Sequence, residues 1–169
     1  MTTTRIHARP VGWGSWWFRL LEDDASGRDL ATVKLAKAKD AGTILLGEVP
    51  FSFEPARGKT TLLRFEGVAV ARARQTSGWS RRTVVEVEGG LLQPGVEIGV
   101  GRTFVLAPQG ALSQSFTFGT RDAPLGRITR TGLFRRTYQL RFDASIPLGV
   151  QAFALALVVV YLRRSQRSG

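Results

Sequence analysis

Ile146-Pro147-Leu148-Gly149-Val150-Gln151-Ala152-Phe153-Ala154-Leu155-Ala156-Leu157-Val158-Val159-Val160-Tyr161-Leu162 decides the fold of this 169-residue chain. Gln151 is its one strongly polar side chain, and the apolar residues cover every face of a helix at 3.6 residues per turn. A helix that is apolar all round lies in a protein core or in a bilayer. Asp143-Ala144-Ser145 precedes it, so Asp143 or Ser145 can cap, and Pro147 is tolerated in the first turn. Arg163 and Arg164 follow, with Arg167 beyond, where the helix dipole favours positive charge. The helix is expected over about 146–164.

Between Arg5 and Phe142 there is no amphipathic helical pattern. Short β-branched and aromatic runs recur instead, separated by Gly, Pro and Asp turns every 8–12 residues or so. The runs that read as strands are Arg5–Ala8, Trp13–Leu21, Leu30–Lys39, Thr43–Glu48, Thr60–Phe65, Val68–Arg74, Thr83–Glu88, Leu91–Ile98, Thr103–Ala107, Ser113–Phe118, Leu125–Thr131 and Phe134–Phe142. About twelve strands in a meander predict a mainly β fold, an antiparallel closed barrel over about 5–142. In Phe134–Phe142 one face carries Phe134, Arg136, Tyr138, Leu140 and Phe142, and the other Arg135, Thr137, Gln139 and Arg141. In Val68–Arg74 the residues Ala69, Ala71 and Ala73 share one face, which predicts close approach of something bulky.

Helix and strands predict each other. A barrel of a dozen strands is too wide for its own side chains to fill. The apolar run of about 17 residues spans roughly 25 Å, the short end of a bilayer crossing. An anchor would also carry Arg163, Arg164 and Arg167 across the membrane, against the positive-inside tendency. The expected architecture is therefore one domain over 1–169, a barrel enclosing its C-terminal helix. A tail-anchored protein with 146–162 as a transmembrane helix is the alternative.

The last 50 or so residues carry a resemblance. Phe118-Gly119, Leu125-Gly126-Arg127-Ile128-Thr129-Arg130, Leu133-Phe134-Arg135-Arg136, Asp143 with Pro147, Gln151 with Phe153, and Leu162-Arg163-Arg164 resemble small bacterial members of the tubby C-terminal-like superfamily, which includes LURP-one-related proteins and phospholipid scramblases. The resemblance implies a twelve-stranded barrel around a hydrophobic helix that looks transmembrane by hydropathy. The acidic calcium-binding segment of scramblases has no counterpart here, so calcium-regulated scrambling is not expected.

Composition excludes several chemistries. The chain has no cysteine and one histidine, His7, which removes thiol nucleophiles, thiolate zinc sites and multi-histidine metal sites. Gly58-Lys59-Thr60 lacks the upstream glycine of a phosphate-binding loop, because Phe53 stands there. Gly95, Gly99 and Gly101 open no helix and read as turn or bulge glycines. Glu22-Asp23-Asp24 leads into a hairpin turn without the spacing of a calcium loop. Glu86 and Glu88 read as a solvated strand face set against neighbouring arginines. His7, Ser15 and Asp23 lack a nucleophile elbow. No catalytic role, cofactor or metal is expected.

The charge is the remaining functional signal. Arginine dominates the 24 basic residues, against 13 acidic ones, for a net +11. Such a field attracts polyanions. Candidate anion- or lipid-binding residues are Arg72, Arg74, Arg81 and Arg82, then Arg127, Arg130, Arg135 and Arg136, and finally Arg163, Arg164 and Arg167. Adjacent strands are expected to gather Arg127–Arg136 into one patch. Trp13, Trp16, Trp17 and Phe18 add aromatic surface, with Trp16 and Phe18 on one strand face and Trp17 on the other. The expected function is a non-enzymatic binding or scaffold module, recruited to anionic phospholipid or an acidic protein. It is expected in the cytoplasm, since residues 1–5 carry no secretory signal, peripheral to the inner face of the membrane. Single-stranded nucleic-acid binding is the second alternative.

Overall fold

Period-two alternation builds the wall. The computed structural model describes residues 2–76, 81–87, 91–93, 96–97, 102–110, 114–132 and 134–167, with backbone alone for 91–93 and 96–97. Its strands are β1 (Thr3–Pro10), β2 (Trp17–Glu22), β3 (Asp29–Leu35), β4 (Gly42–Leu46), β5 (Val49–Ala56), β6 (Thr60–Phe65), β7 (Val68–Gln75), β8 (Thr83–Val87), β9 (Leu91–Gln93), β10 (Val96–Glu97), β11 (Arg102–Gln109), β12 (Ser115–Gly119), β13 (Pro124–Arg130) and β14 (Tyr138–Asp143); one helix, α1 (Leu148–Arg167), follows. Twelve of the strands close an antiparallel barrel in the order β1-β14-β13-β12-β11-β8-β7-β6-β5-β4-β3-β2, and β9 and β10 form a separate hairpin.

Inward positions alternate with outward ones along each strand, as in Phe18 and Leu20 of β2 or Tyr138, Leu140 and Phe142 of β14. The interior is aromatic: Phe104 stacks on Phe118 at 4.9 Å between ring centroids, and Phe118 meets Phe142 at 5.5 Å. Gly126 lies beneath the Phe142 ring and Gly42 beneath Phe53, so close that a Cβ at either glycine would collide with the ring.

α1 fills the barrel. Every residue from Gly149 to Val160 is buried, with β3 and β4 beside the helix. The helix is long and apolar enough to cross a membrane, yet its apolar surface is spent inside this wall. β7 presents Ala71 and Ala73 inward, and Ala73 shares a small cavity with Leu157, Val160 and Tyr161 of the helix. Ala69 is only half-buried, because a bulge at Leu63/Arg64 shifts the register and turns Val70 inward as well.

Several boundaries differ from expectation. β5 reads poorly as a strand because of Pro50 and Pro55, yet Phe51 and Phe53 point inward and both prolines face solvent. Within the run Leu91–Ile98 the described residues form the separate β9–β10 pair, so the count of twelve is right although one expected member, Leu91–Ile98, is not in the wall and β5 takes its place. Phe134 and Trp13 lie in turns beyond the ends of β14 and β2, and neither enters the core. Asp143 does not cap the helix. Its carboxylate accepts the Ser145 N–H at 2.9 Å, and the Pro147 carbonyl takes the first helical N–H groups, from Val150 and Gln151. Gly95, Gly99, Gly101, Glu88 and Leu133 lie outside the described residues.

Candidate functional site

In an antiparallel meander successive turns fall at alternate ends of the barrel. The β1–β2, β3–β4, β5–β6, β7–β8, β11–β12 and β13–β14 turns therefore share one end, where the C-terminus of α1 also emerges. These turns carry Lys37, Lys39, Arg57, Lys59, Arg81, Arg82, Arg135 and Arg136, and the helix adds Arg163, Arg164 and Arg167. Asp40 is the only acidic side chain among the described residues of these turns. At the opposite end stand Glu22, Asp23, Asp24, Asp29, Glu48, Glu66, Asp122 and Asp143, against few cations such as Arg28 and Arg121. The barrel is polarised along its axis.

The arginines of the basic end have distinct jobs. Arg163 is 2% exposed and is structural. Its guanidinium donates to the carbonyls of Ala36 (2.7 Å) and Lys39 and to Asp40 Oδ1 (2.8 Å), tying the helix to the β3–β4 turn. Arg164 Nε donates to Asp40 Oδ2 at 2.6 Å. Burial pushes the Asp40 carboxyl up, but the hydrogen bonds and charges of Arg164 and Arg163 outweigh it and hold the group below the usual carboxylate range. Arg163 is thus removed from the binding candidates: its two Nη atoms are committed to these acceptors, and its Nε, though unpartnered, is buried out of a ligand's reach. Trp16 is held between Arg136, 3.7 Å from its ring centroid, and Arg163, at 5.2 Å. Arg81 donates to the Tyr161 hydroxyl at 3.4 Å. Arg135, Arg82 and Arg167 remain exposed.

Two aromatic side chains project from this end. Trp13, in the β1–β2 turn, is 100% exposed, and Phe134, in the β13–β14 turn, is 97% exposed. They flank a cleft of about 400 Å³ lined also by Pro10, Gly12, Gly14, Ser15, Arg135 and Arg136. Arg136 Nη1 is buried there with no hydrogen-bond partner. Trp17 stands outward nearby, with Lys34 Nζ 4.7 Å from its ring centroid. Exposed aromatics rimmed by cations match the chemistry of a membrane interface, where an amphipathic ring sits at headgroup level and arginine meets phosphate.

The other candidates are elsewhere. Arg72 and Arg74 face outward on β7, with Arg72 opposite Glu86 of β8, the neighbouring arginine expected for that carboxylate. Arg127 lies on the outer wall of β13, whereas Arg130 is placed opposite the inward Tyr138 with its Nε buried. Strand alternation thus separates Arg127 from Arg130, and Arg135 and Arg136 belong to the turn beyond, so Arg127–Arg136 is not a single patch. Gly58 and Lys59 both adopt positive φ in the β5–β6 turn, which leaves Gly58-Lys59-Thr60 as a tight turn rather than a phosphate loop. His7 Nε2 meets Asp23 at 2.9 Å, but Ser15 is in the β1–β2 turn at the far end, where its Oγ accepts the Trp17 N–H. Gln151, 3% exposed, donates to the Ile146 carbonyl at 2.8 Å and to Thr4 Oγ1 at 3.3 Å. It fastens the first turn of the helix to β1.

Sequence reading missed Trp13 and Phe134 as paired tips because each extends an alternating pattern into a turn. The glycines on both sides of Trp13 were the available signal. No protein-family model matches the chain, and no curated protein matches it.

Proposed function

We propose that this chain is a non-enzymatic, tubby-like binding module that docks end-on to anionic phospholipid surfaces. One observation carries the reading: Trp13 and Phe134, both fully exposed, project from the end of the barrel that gathers the basic turns, while the carboxylates collect at the other end. A negative surface attracts the first end and repels the second, so the charge orients the barrel before contact. Each basic residue near the surface contributes about 1 kcal/mol, and the two aromatic tips add apolar burial at the headgroup boundary. The same end serves an acidic peripheral partner less well, because a soluble partner leaves both tips in water.

Vesicle co-sedimentation tests the proposal. Binding is expected to vesicles containing phosphatidylglycerol, to be weak on phosphatidylcholine alone, and to fall steeply between 0.1 and 0.5 M salt or so. The Trp13→Ala/Phe134→Ala pair reduces it while leaving the fold intact. Binding indifferent to lipid charge, or unchanged in the pair, overturns the proposal. Tighter, salt-dependent capture of a single-stranded oligonucleotide by the same end assigns that end to nucleic acid instead.

A further inference from the structure

A second feature lies on the side wall, away from the basic end. The register places Arg5 of β1 directly opposite Arg141 of β14, and Arg141 directly opposite Arg127 of β13. All three are exposed, between inward neighbours Ile6, Leu140 and Ile128. Three arginines therefore stand in one row across adjacent strands about 4.8 Å apart. Like charges directly opposite each other in a sheet repel.

Among the described residues the nearby carboxylates form no ion pair with these arginines. Asp23 is held by His7 Nε2 at 2.9 Å, and Asp143 accepts the Ser145 N–H. None of the three guanidinium groups has an ion pair or side-chain hydrogen bond among the described residues. Between Arg127 and Arg141 the wall opens into a depression of about 180 Å³, completed by Thr129 and Gln139, so that every lining side chain can hydrogen-bond.

We infer that this row is a binding site for a phosphate-type oxyanion, with a diphosphate or triphosphate chain as the ligand that fits it best. Arginine forks bind phosphate oxygens in bidentate fashion. Guanidinium groups repeating across the strands match a chain of phosphates laid perpendicular to them, and Gln139 and Thr129 supply neutral donors on one side. The ligand also removes the repulsion that the free wall bears. This site does not depend on the membrane-docking reading, since it uses a different face and different residues.

Calorimetric titration with inorganic phosphate, pyrophosphate, tripolyphosphate and a nucleoside triphosphate, at ionic strength held constant with chloride, tests the inference. Affinity is expected to rise with the number of phosphates. A nucleoside triphosphate matching tripolyphosphate assigns recognition to the phosphates alone, and tighter binding adds a contact to the base or sugar. Arg127→Gln/Arg141→Gln is expected to weaken tripolyphosphate about tenfold or more, while the ligand-free variant melts no lower than the parent. It is also expected to keep its binding to acidic vesicles. Arg57→Gln/Lys59→Gln, which removes the same charge from the basic end, retains tripolyphosphate affinity. Absence of binding beyond the chloride background, or an equal loss in both variants, overturns the assignment.

Discussion

Replacing Asp40 by alanine removes the one carboxylate among the described turn residues of the basic end and strands a buried cation. Asp40 accepts hydrogen bonds from Arg163 at 2.8 Å and from Arg164 at 2.6 Å, with its own side chain 16% exposed and that of Arg163 only 3%. Removing one partner of a buried pair costs about 3–5 kcal/mol. Here the carbonyls of Ala36 and Lys39 and the face of Trp16 stay with Arg163, which places the cost near the lower figure. About 3 kcal/mol in a domain of this size lowers Tm by roughly 6–12 °C. Arg163→Met costs less, because Asp40 keeps Arg164, and the double variant falls short of the sum of the two.

Urea unfolding at pH 7, followed by tryptophan fluorescence, reads these differences. The pH dependence gives a second check. The folded Asp40 carboxyl titrates below its ordinary value, so its contribution is present above the unfolded pKa and is lost as pH falls through the folded one. The gap between parent and Asp40→Ala is therefore expected to begin narrowing below about pH 4 and to close only once pH is below the folded value. A loss under about 1 kcal/mol at pH 7, or a gap that does not narrow as pH falls below about 4, refutes the assignment of Asp40 as the counter-ion that permits Arg163 to be buried.

Two other perturbations probe the interior. A chain ending at Ala144 loses the helix that fills the barrel and is expected to be insoluble or molten, with its near-ultraviolet circular dichroism lost; a soluble, cooperatively folded product instead favours the tail-anchored alternative. Gly126→Ala drives a methyl group into the Phe142 ring, which is fully buried and packs against Phe118. Overpacking of this kind costs about 1–3 kcal/mol in urea unfolding, and a change within about 0.5 kcal/mol shows that the ring yields.

The fold was legible where burial imposes a period. Phe18 and Leu20, Ala71 and Ala73, and Tyr138, Leu140 and Phe142 face inward as their alternation requires, and the uniformly apolar helix could only be a core once a wide barrel surrounded it. Patterns failed where they ran past the wall. Trp13 and Phe134 continue an alternation of apolar residues, but alternation does not say where strand pairing stops. β5 was hidden because proline is read as a breaker, whereas Pro50 faces outward and Pro55 is exposed at the end of a strand whose inward set is Phe51 and Phe53.

That hidden strand explains why the charge polarity escaped reading. In a meander, the end to which a turn belongs is set by the parity of the strands before it. Omitting β5 reverses every later turn, sending Arg81 and Arg82 to the acidic end. Reading Leu91–Ile98 as a wall strand restores the parity only from β11 onward. Composition alone therefore yields +11 without direction, although Arg81, Arg135 and Arg164 are separated by dozens of residues and meet at one rim. The Arg5, Arg141 and Arg127 row was hidden in the same way, since it joins the first strand to the last two and exists only once the barrel closes. Closure of the barrel divides the net charge between a basic end and a row of arginines on one wall.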